Sequence, residues 1–423
     1  MAKSGDKPKV KLNGIEYRWP RRPVVVVCID GGDPAYFEHG LKGGTIPNVA
    51  RFMAQGYSAI ADGTVPSVTC TNNMSIVTGS PASVHGISGN FYLDPASGEA
   101  VVMTGPELLR SETLFAQFSR AGAKVAAITA KDKLRRQLGK GLDVSRGNIC
   151  FSSEKADQCT RRENGIESVL EFVGMPLPDM YSMELSLFVL EAGIRILERD
   201  RPDILYLSLT DFVQHKYAPH EPEAVGFYRE LDARFGRLAE LGALVALTAD
   251  HGMNDKSNAD GTPNVIWLQD ILDGEFGKGD TRVICPITDA FVAHHGALGG
   301  FVRVYCRGGN ATPERVMQLV EPIPGIEAVF DKQSVCKRFD LPPDREGDVA
   351  VVSRADACVG GAAAEHDLSG LAGHRLRTHG GISEARVPFV LSEPVSDAYR
   401  AKAKSRPLNS NQIFDFALNG VAA

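Results

Sequence analysis

The chain has 423 residues, 43% of them hydrophobic and 23% charged, with a formal net charge of −6 at pH 7. That length supports one large domain with an insertion, or two domains. The acidic balance argues against a nucleic-acid or membrane-surface partner, since both favour basic faces, and the apolar run Val24 to Ile29 is far too short to cross a bilayer. The eight cysteines are scattered without a CxxC pair. No secretory leader pattern opens the chain, so reduced thiols and a cytoplasmic setting are expected.

Residues 1–20 are polar and basic and are expected to form a loosely held N-terminal arm. Val24 to Ile29 then reads as a fully buried strand. It ends on Asp30-Gly31-Gly32-Asp33, a carboxylate followed by glycine. A short helix is expected from Thr45 to Gln55. In the loop Pro66 to Thr69, the last residue lies at or near the start of a helix that Gly79 ends. Thr69 there can cap the helix. It can equally serve as a hydroxyl nucleophile at an end that favours anions. A helix over Ser111–Ala121 leads to a strand over Lys124–Thr129. Lys131 and Lys133 follow it; they face one site if the turn is extended, and otherwise make an ordinary solvated turn.

A helix is expected near Glu167–Phe172 and a longer amphipathic one over Ser182–Glu198. The strand Ile204–Leu209 then runs into Asp211-Phe212-Val213-Gln214-His215. One helical turn would set Asp211 and His215 on one face, as ligands or as a structural hydrogen-bonded pair. A helix over Pro222–Leu241 precedes the strand Ala243–Leu247, which stops on Asp250-His251-Gly252. In open parallel sheets chemistry sits beyond the carboxyl ends of strands, and these strand ends recur.

From Asn254 the chemistry thins. A short strand runs into a helical turn over 264–272, and 274–280 reads as a loop. His294-His295 is expected to be structural, because neighbouring rings point apart in extended chain. Strand, helix and strand over 301–305, 313–319 and 328–330 suggest a small inserted α/β cap. The expected division is therefore 21–255 with 346–423 as core, and 256–345 as insert. A strand at Val349–Val352 follows. His379 sits in a glycine-rich turn before the strand Val387–Leu391, with His366 and His374 as competitors, and a helix over Asn411–Leu418 closes the chain.

Asp30, Asp211, His215, Asp250, His251 and His379 together suit two borderline cations such as zinc. Two metals are the usual clamp for in-line displacement at phosphorus.

The pieces Asp30-Gly31, Thr69 with Ser75-Ile76-Val77-Thr78-Gly79, His85-Gly86-Ile87-x-Gly89-Asn90, Asp211-x-x-x-His215, Asp250-His251-Gly252 and His379-Gly380-Gly381 occur in order along most of the chain. In this the chain resembles the alkaline phosphatase superfamily, in its nucleotide pyrophosphatase/phosphodiesterase-like branch. The resemblance implies an α/β fold: a three-layer core with a mostly parallel sheet and a small inserted cap. It implies one metal on Asp211, His215 and His379, and a second on Asp30, Asp250 and His251. Thr69 is then the nucleophile, touching that second metal, and Asn90 holds a phosphoryl oxygen. Two Zn2+ are implied, with Mn2+ or Fe2+ accepted by the same ligands.

Within the branch, Lys131 and Lys133, the Asn72-Asn73-Met74 stretch and the modest cap resemble the phosphonoacetate hydrolases. That likeness implies a small-molecule phosphonate substrate, two lysines on its carboxylate, a phospho-threonine intermediate, and a homodimer as one assembly. Diesterase relatives carry an aromatic residue soon after the nucleophile, where this chain has Cys70, Thr71 and Asn72. A phosphodiesterase on the same dizinc site is the rival enzyme. Phosphoglycerate mutases of this superfamily use serine where Thr69 stands, and a zinc-stabilised binding protein is the alternative without catalysis.

Overall fold

The computed structural model describes residues 7–94, 96–371 and 373–422. Its main sheet has seven strands: β1 (Val24–Cys28), β2 (Tyr57–Asp62), β3 (Val125–Thr129), β4 (Ile149–Ser152), β5 (Ile204–Ser208), β6 (Leu244–Thr248) and β7 (Arg386–Leu391). Their order across the sheet is β2-β7-β6-β1-β5-β3-β4. The run from β6 to β4 is parallel, while β7 pairs antiparallel with both β6 and β2. The fold is thus a mostly parallel α/β sheet, as expected. β2 has no continuous apolar run to mark it in the sequence, because its exposure alternates along the strand.

β1 lies at the centre, and all five of its residues are buried. Such a strand needs apolar side chains on both faces, and the Val24–Val27 run supplies them. Val25, Val27 and Ile29 pack on the helices Glu184–Asp200 and Pro222–Glu240. Val24, Val26 and Cys28 pack on the other side, against Thr69–Thr78, Leu114–Arg120 and the C-terminal segment. These are the three layers.

The described part of the N-terminal arm is not loose. Val10–Leu12 and Ile15–Tyr17 form an antiparallel hairpin, and Val10, Leu12 and Tyr17 are buried. The helix beginning at Leu268 runs to Phe276, into the expected loop. The closing helix is a chain of short irregular turns, 3-10 then α then π, over Ser410–Gly420.

A second, four-stranded antiparallel sheet runs in the order Thr281–Ile284, Phe301–Cys306, Val349–Ser353, Ile326–Asp331. It has its own apolar cluster, built with Leu268, Leu272, Val316 and Val320. Val349–Ser353 therefore belongs to this smaller sheet, so the expected return to the core at 346 falls inside it. Periodicity shows that such a run is a buried strand but not which sheet it joins. No helix among the described residues is long and apolar enough to cross a membrane.

Candidate active site

The parallel strands end on one edge of the sheet, and four of them deliver chemistry there. β1 leads to Asp30, β3 to Lys131, β5 to Asp211, and β6 to Asp250 and His251. Gly31 makes the bend after Asp30. Its φ is +67°, and a Cβ there would lie 3.0 Å from the Asp211 Cβ, so the close approach of the two strand ends requires glycine. The helix Phe212–Lys216 begins directly after Asp211. That single turn brings His215 Nε2 to 2.9 Å from Asp211 Oδ2. His379 arrives from the two-residue strand Arg377–Thr378, which pairs with Asn254–Asp255 just beyond Asp250-His251-Gly252.

Six side chains from distant parts of the chain thus converge in two triads. Asp211, His215 and His379 each bring a donor atom within 4.8 Å of the others, and so do Asp30, Asp250 and His251. All six are buried. The His251 and His379 rings, one from each triad, stack with centroids 3.4 Å apart.

The donor atoms fit metal ions. His215 Nδ1 lies 2.8 Å from the Arg377 carbonyl, His251 Nδ1 2.9 Å from that of Gly252, and His379 Nδ1 2.6 Å from that of Ser67. A carbonyl oxygen only accepts, so each Nδ1 carries the proton and each Nε2 presents a lone pair. None of these Nε2 atoms makes a hydrogen bond, yet His215 Nε2 faces Asp211 and His251 Nε2 faces Asp30 Oδ1 at 3.1 Å. A lone pair facing a carboxylate oxygen is repulsive unless a proton or a metal cation shares the pair, and a buried cluster of this kind suits the metal.

Charge points the same way. Burial and the neighbouring Asp30 push the Asp250 carboxyl well above its ordinary range. Burial also opposes ionisation of Asp211, but the Lys131 ammonium and His215 overcome it and hold its pKa well down. Burial would lower His251, yet the carboxylates of Asp250 and Asp30 raise it to about 9. Three buried aspartates around one lysine make a site that favours additional positive charge.

Thr69 is the first residue of the helix Thr69–Thr78, whose N-cap is Val68 without a side-chain cap bond. The threonine hydroxyl is therefore not the cap. It is buried and meets Lys131 Nζ at 3.5 Å. Asn73 sets the helix in place. Its Nδ2 donates to the Thr69 carbonyl at 3.0 Å and to Asp250 Oδ2 at 3.2 Å, while its Oδ1 accepts from the Tyr206 and Ser208 hydroxyls at 2.7 and 3.0 Å. Asn90 Oδ1 accepts from the Cys70 N–H at 3.0 Å, beside the nucleophile position.

The two lysines do not lie side by side as an extended turn would set them. Lys131 is extended and precedes the helix Asp132–Leu138, which already contains Lys133. Lys131 Nζ sits between the triads, 2.6 Å from Asp30 Oδ2 and 3.1 Å from Asp211 Oδ1. Lys133 Nζ instead contacts Asp289 Oδ2, which also accepts from Asn90 Nδ2 at 2.8 Å. Both ammonium groups approach the Phe291 ring, at 5.2 and 5.8 Å from its centroid.

Asp289, Phe291, His294 and His295 were not expected at the site. They lie on or beside the 3-10 turn Ala290–His295, and the extended-chain argument for His294-His295 fails because that segment is coiled. Both rings group with His215. The only sequence signal was the doubled histidine itself. His366 and His374, the competitors of His379, join neither triad. A cleft of about 750 Å3 is lined by Arg338, Arg386 and Arg406 among others and touches none of the triad residues.

The family model of type I phosphodiesterase/nucleotide pyrophosphatase matches residues 24–381. An uncharacterised pyrophosphatase/phosphodiesterase of Schizosaccharomyces pombe is 25% identical over 287 residues, 66% of this chain; the chain spans about half, 51%, of that relative's length. The structure of phosphonoacetate hydrolase from Sinorhizobium meliloti 1021 in complex with phosphonoformate is 44% identical, covers 99% of this chain and 100% of its own, and superposes with a TM-score of 0.93. The same enzyme in complex with phosphonoacetate gives 43% identity over 99% and 100% of the two chains, with a TM-score of 0.91. Mouse ectonucleotide pyrophosphatase/phosphodiesterase 5, at 16% identity over 95% and 96% of the chains and a TM-score of 0.62, shares the fold.

Proposed function

This chain belongs to the type I phosphodiesterase/nucleotide pyrophosphatase family of the alkaline phosphatase superfamily, a family of metal-dependent hydrolases, and from that premise we propose that it hydrolyses phosphonoacetate to acetate and phosphate. The observation that carries this reading is the pair of buried donor triads with Lys131 against both and its ammonium also at the Thr69 hydroxyl. The full-length likeness to phosphonoacetate hydrolase supports the choice of substrate.

Asp211, His215 and His379 would hold one cation, and Asp30, Asp250 and His251, with the Thr69 hydroxyl, the other; zinc suits both donor sets, and manganese or iron fits less selectively. Bound there, the cations lower the pKa of an oxygen nucleophile and stabilise charge on phosphoryl oxygens. Thr69 Oγ1 attacks phosphorus and loses its proton. The carbon–phosphorus bond breaks with its electron pair moving to carbon, where the adjacent carboxylate delocalises it as an enolate. Lys131 and Lys133 bring ammonium charge to that carboxylate as the charge develops. The carbon takes a proton and leaves as acetate. Water then hydrolyses the phospho-threonine, restoring the hydroxyl and releasing phosphate. Asn90 hydrogen-bonds a phosphoryl oxygen beside the helix start.

The smaller unit acts as a cap over the site. Its sheet includes Val349–Ser353, so the cap extends beyond 345. The eight cysteines are all unpaired, which supports a cytoplasmic setting. A homodimer stays within the proposal through the family resemblance alone.

Phosphate release from purified protein across phosphonoacetate, 2-aminoethylphosphonate and phosphonopyruvate tests the reading. Turnover of phosphonoacetate well above the others is expected; none would refute it. The family description favours a second reading, a phosphodiesterase. Against it, Cys70 and Thr71 are fully buried and offer no surface on which a base could stack. Lys133→Ala separates the two. It should cripple phosphonoacetate turnover and spare bis-nitrophenyl phosphate.

A further inference from the structure

His295 stands apart from the other buried histidines among the described residues. His215, His251 and His379 are each tied by Nδ1 to a carbonyl. His85 bonds the Ser75 hydroxyl at 2.9 Å and accepts from the Ile87 N–H at 3.2 Å. His295 is 1% exposed, and neither of its ring nitrogens has a partner. A buried polar group left unsatisfied in this way calls for an explanation, and an absent ligand is one.

Its position names the ligand's place. His295 comes from the cap, yet its ring lies over that of His215, with centroids 4.4 Å apart and planes tilted by 32°. One of its nitrogens lies within 4.8 Å of the donor atom of His215. His294, its neighbour, is already committed. Its Nδ1 lies 3.1 Å from the Phe291 carbonyl, and its ring packs on Tyr181 and Phe212 with centroids 5.6 and 6.3 Å away.

A third metal centre on His215, His294 and His295 does not follow. His215 Nδ1 is held by the Arg377 carbonyl, and Nε2 belongs to the triad with Asp211 and His379. What His295 offers is a free N–H. Either neutral tautomer of an imidazole has one.

The same short turn also sets the direction of the substrate. Phe291 lies against the two lysines, and four residues on His295 lies against His215. A small phosphonate with its carboxylate at Lys133 has its phosphorus end toward Lys131, the triads and His215. We propose that His295 is a further substrate-binding residue, whose ring N–H donates to a phosphonyl oxygen seated beside Asp211, His215 and His379. This rests on the phosphonate reading above.

The test is calorimetric titration of zinc-loaded protein with phosphonoformate and, separately, inorganic phosphate. His295→Phe keeps a ring on His215 and removes the donor, while His295→Asn keeps a donor. Phosphate and phosphonoformate should both bind roughly tenfold more weakly to H295F, and H295N should recover part of that loss. Lys133→Ala should weaken phosphonoformate alone. Zinc content should be unchanged throughout. The thermal midpoint of ligand-free H295F should not fall, because the substitution removes an unsatisfied group. Equal affinity in wild type and H295F would overturn the assignment, as would loss confined to phosphonoformate or loss of zinc from the variant. If wild type binds neither anion, the phosphonate reading fails and takes this inference with it. If wild type binds both and H295F matches it, only the role of His295 falls.

Discussion

At the residue scale the site is an arrangement of donor atoms whose protons are already placed. The three Nδ1–carbonyl contacts decide which nitrogen of each ring is free, and no spacing in the sequence could have shown them. The six residues of the triads were legible as candidates, because each lies just past an apolar strand or in a glycine turn. Thr69 was legible only as a choice between cap and nucleophile, and the N-cap position of Val68 removes the first. Thr69→Ala should lower phosphate release by about three orders of magnitude or more while leaving zinc content and the thermal midpoint near wild type. Steady-state assays with elemental analysis check this. Activity within tenfold of wild type would exclude the hydroxyl as nucleophile. Lys131 and Lys133 illustrate the limit of counting along a chain. Two residues apart, they meet different acids, Asp30 and Asp211 for one and Asp289 for the other, because a helix begins between them.

At the scale of elements, the turn that carries His379 is held by a buried ion pair. Lys256 Nζ lies 2.8 Å from Glu384 Oε1, with both side chains fully buried. Glu384 Oε2 accepts from the Gly381 N–H at 2.8 Å. Gly380, next to His379, has φ +119°, so the turn needs both glycine and this anchor. Glu384→Gln leaves the Lys256 charge buried without its partner and should cost about 3–5 kcal/mol in chemical denaturation. A loss below about 1 kcal/mol would mean the pair contributes little.

Burial alone would raise the Glu384 carboxyl, but Lys256 pulls it below its usual value. Its contribution is therefore present above the ordinary glutamate range and is lost as pH falls through the lowered value. Acid unfolding of wild type should accordingly begin below the ordinary glutamate range, and the acid dependence should be shallower in a Lys256→Met, Glu384→Leu double variant. The turn Ala290–His295 is the second decisive element. Thr69 and Lys131 are each 1% exposed, so substrate entry requires some segment over them to move. Hydrogen exchange should show residues 285–298 opening readily in free protein and becoming protected by phosphonoformate. Protection confined to the core strands would assign the gate elsewhere.

At the scale of the molecule, a parallel sheet places the ends of strands far apart in sequence along one edge, and two apolar layers hold that edge rigid. That much followed from runs such as Val24–Val27 and Leu244–Leu247. The smaller sheet was only half legible. Its strands Phe301–Cys306 and Ile326–Asp331 were foreseen, while Thr281–Ile284 was not, and Val349–Ser353 was read into the wrong sheet. Pairing between antiparallel strands is a tertiary choice that local pattern does not encode. What the assembled molecule is for turns on whether the two triads are filled together. The direct measurement is phosphate release from phosphonoacetate as zinc is returned to chelator-treated protein. Activity should be absent without metal, rise as zinc is added, and level off at about two equivalents per chain. Full activity in metal-free protein, or no phosphate at any zinc level, would contradict the account.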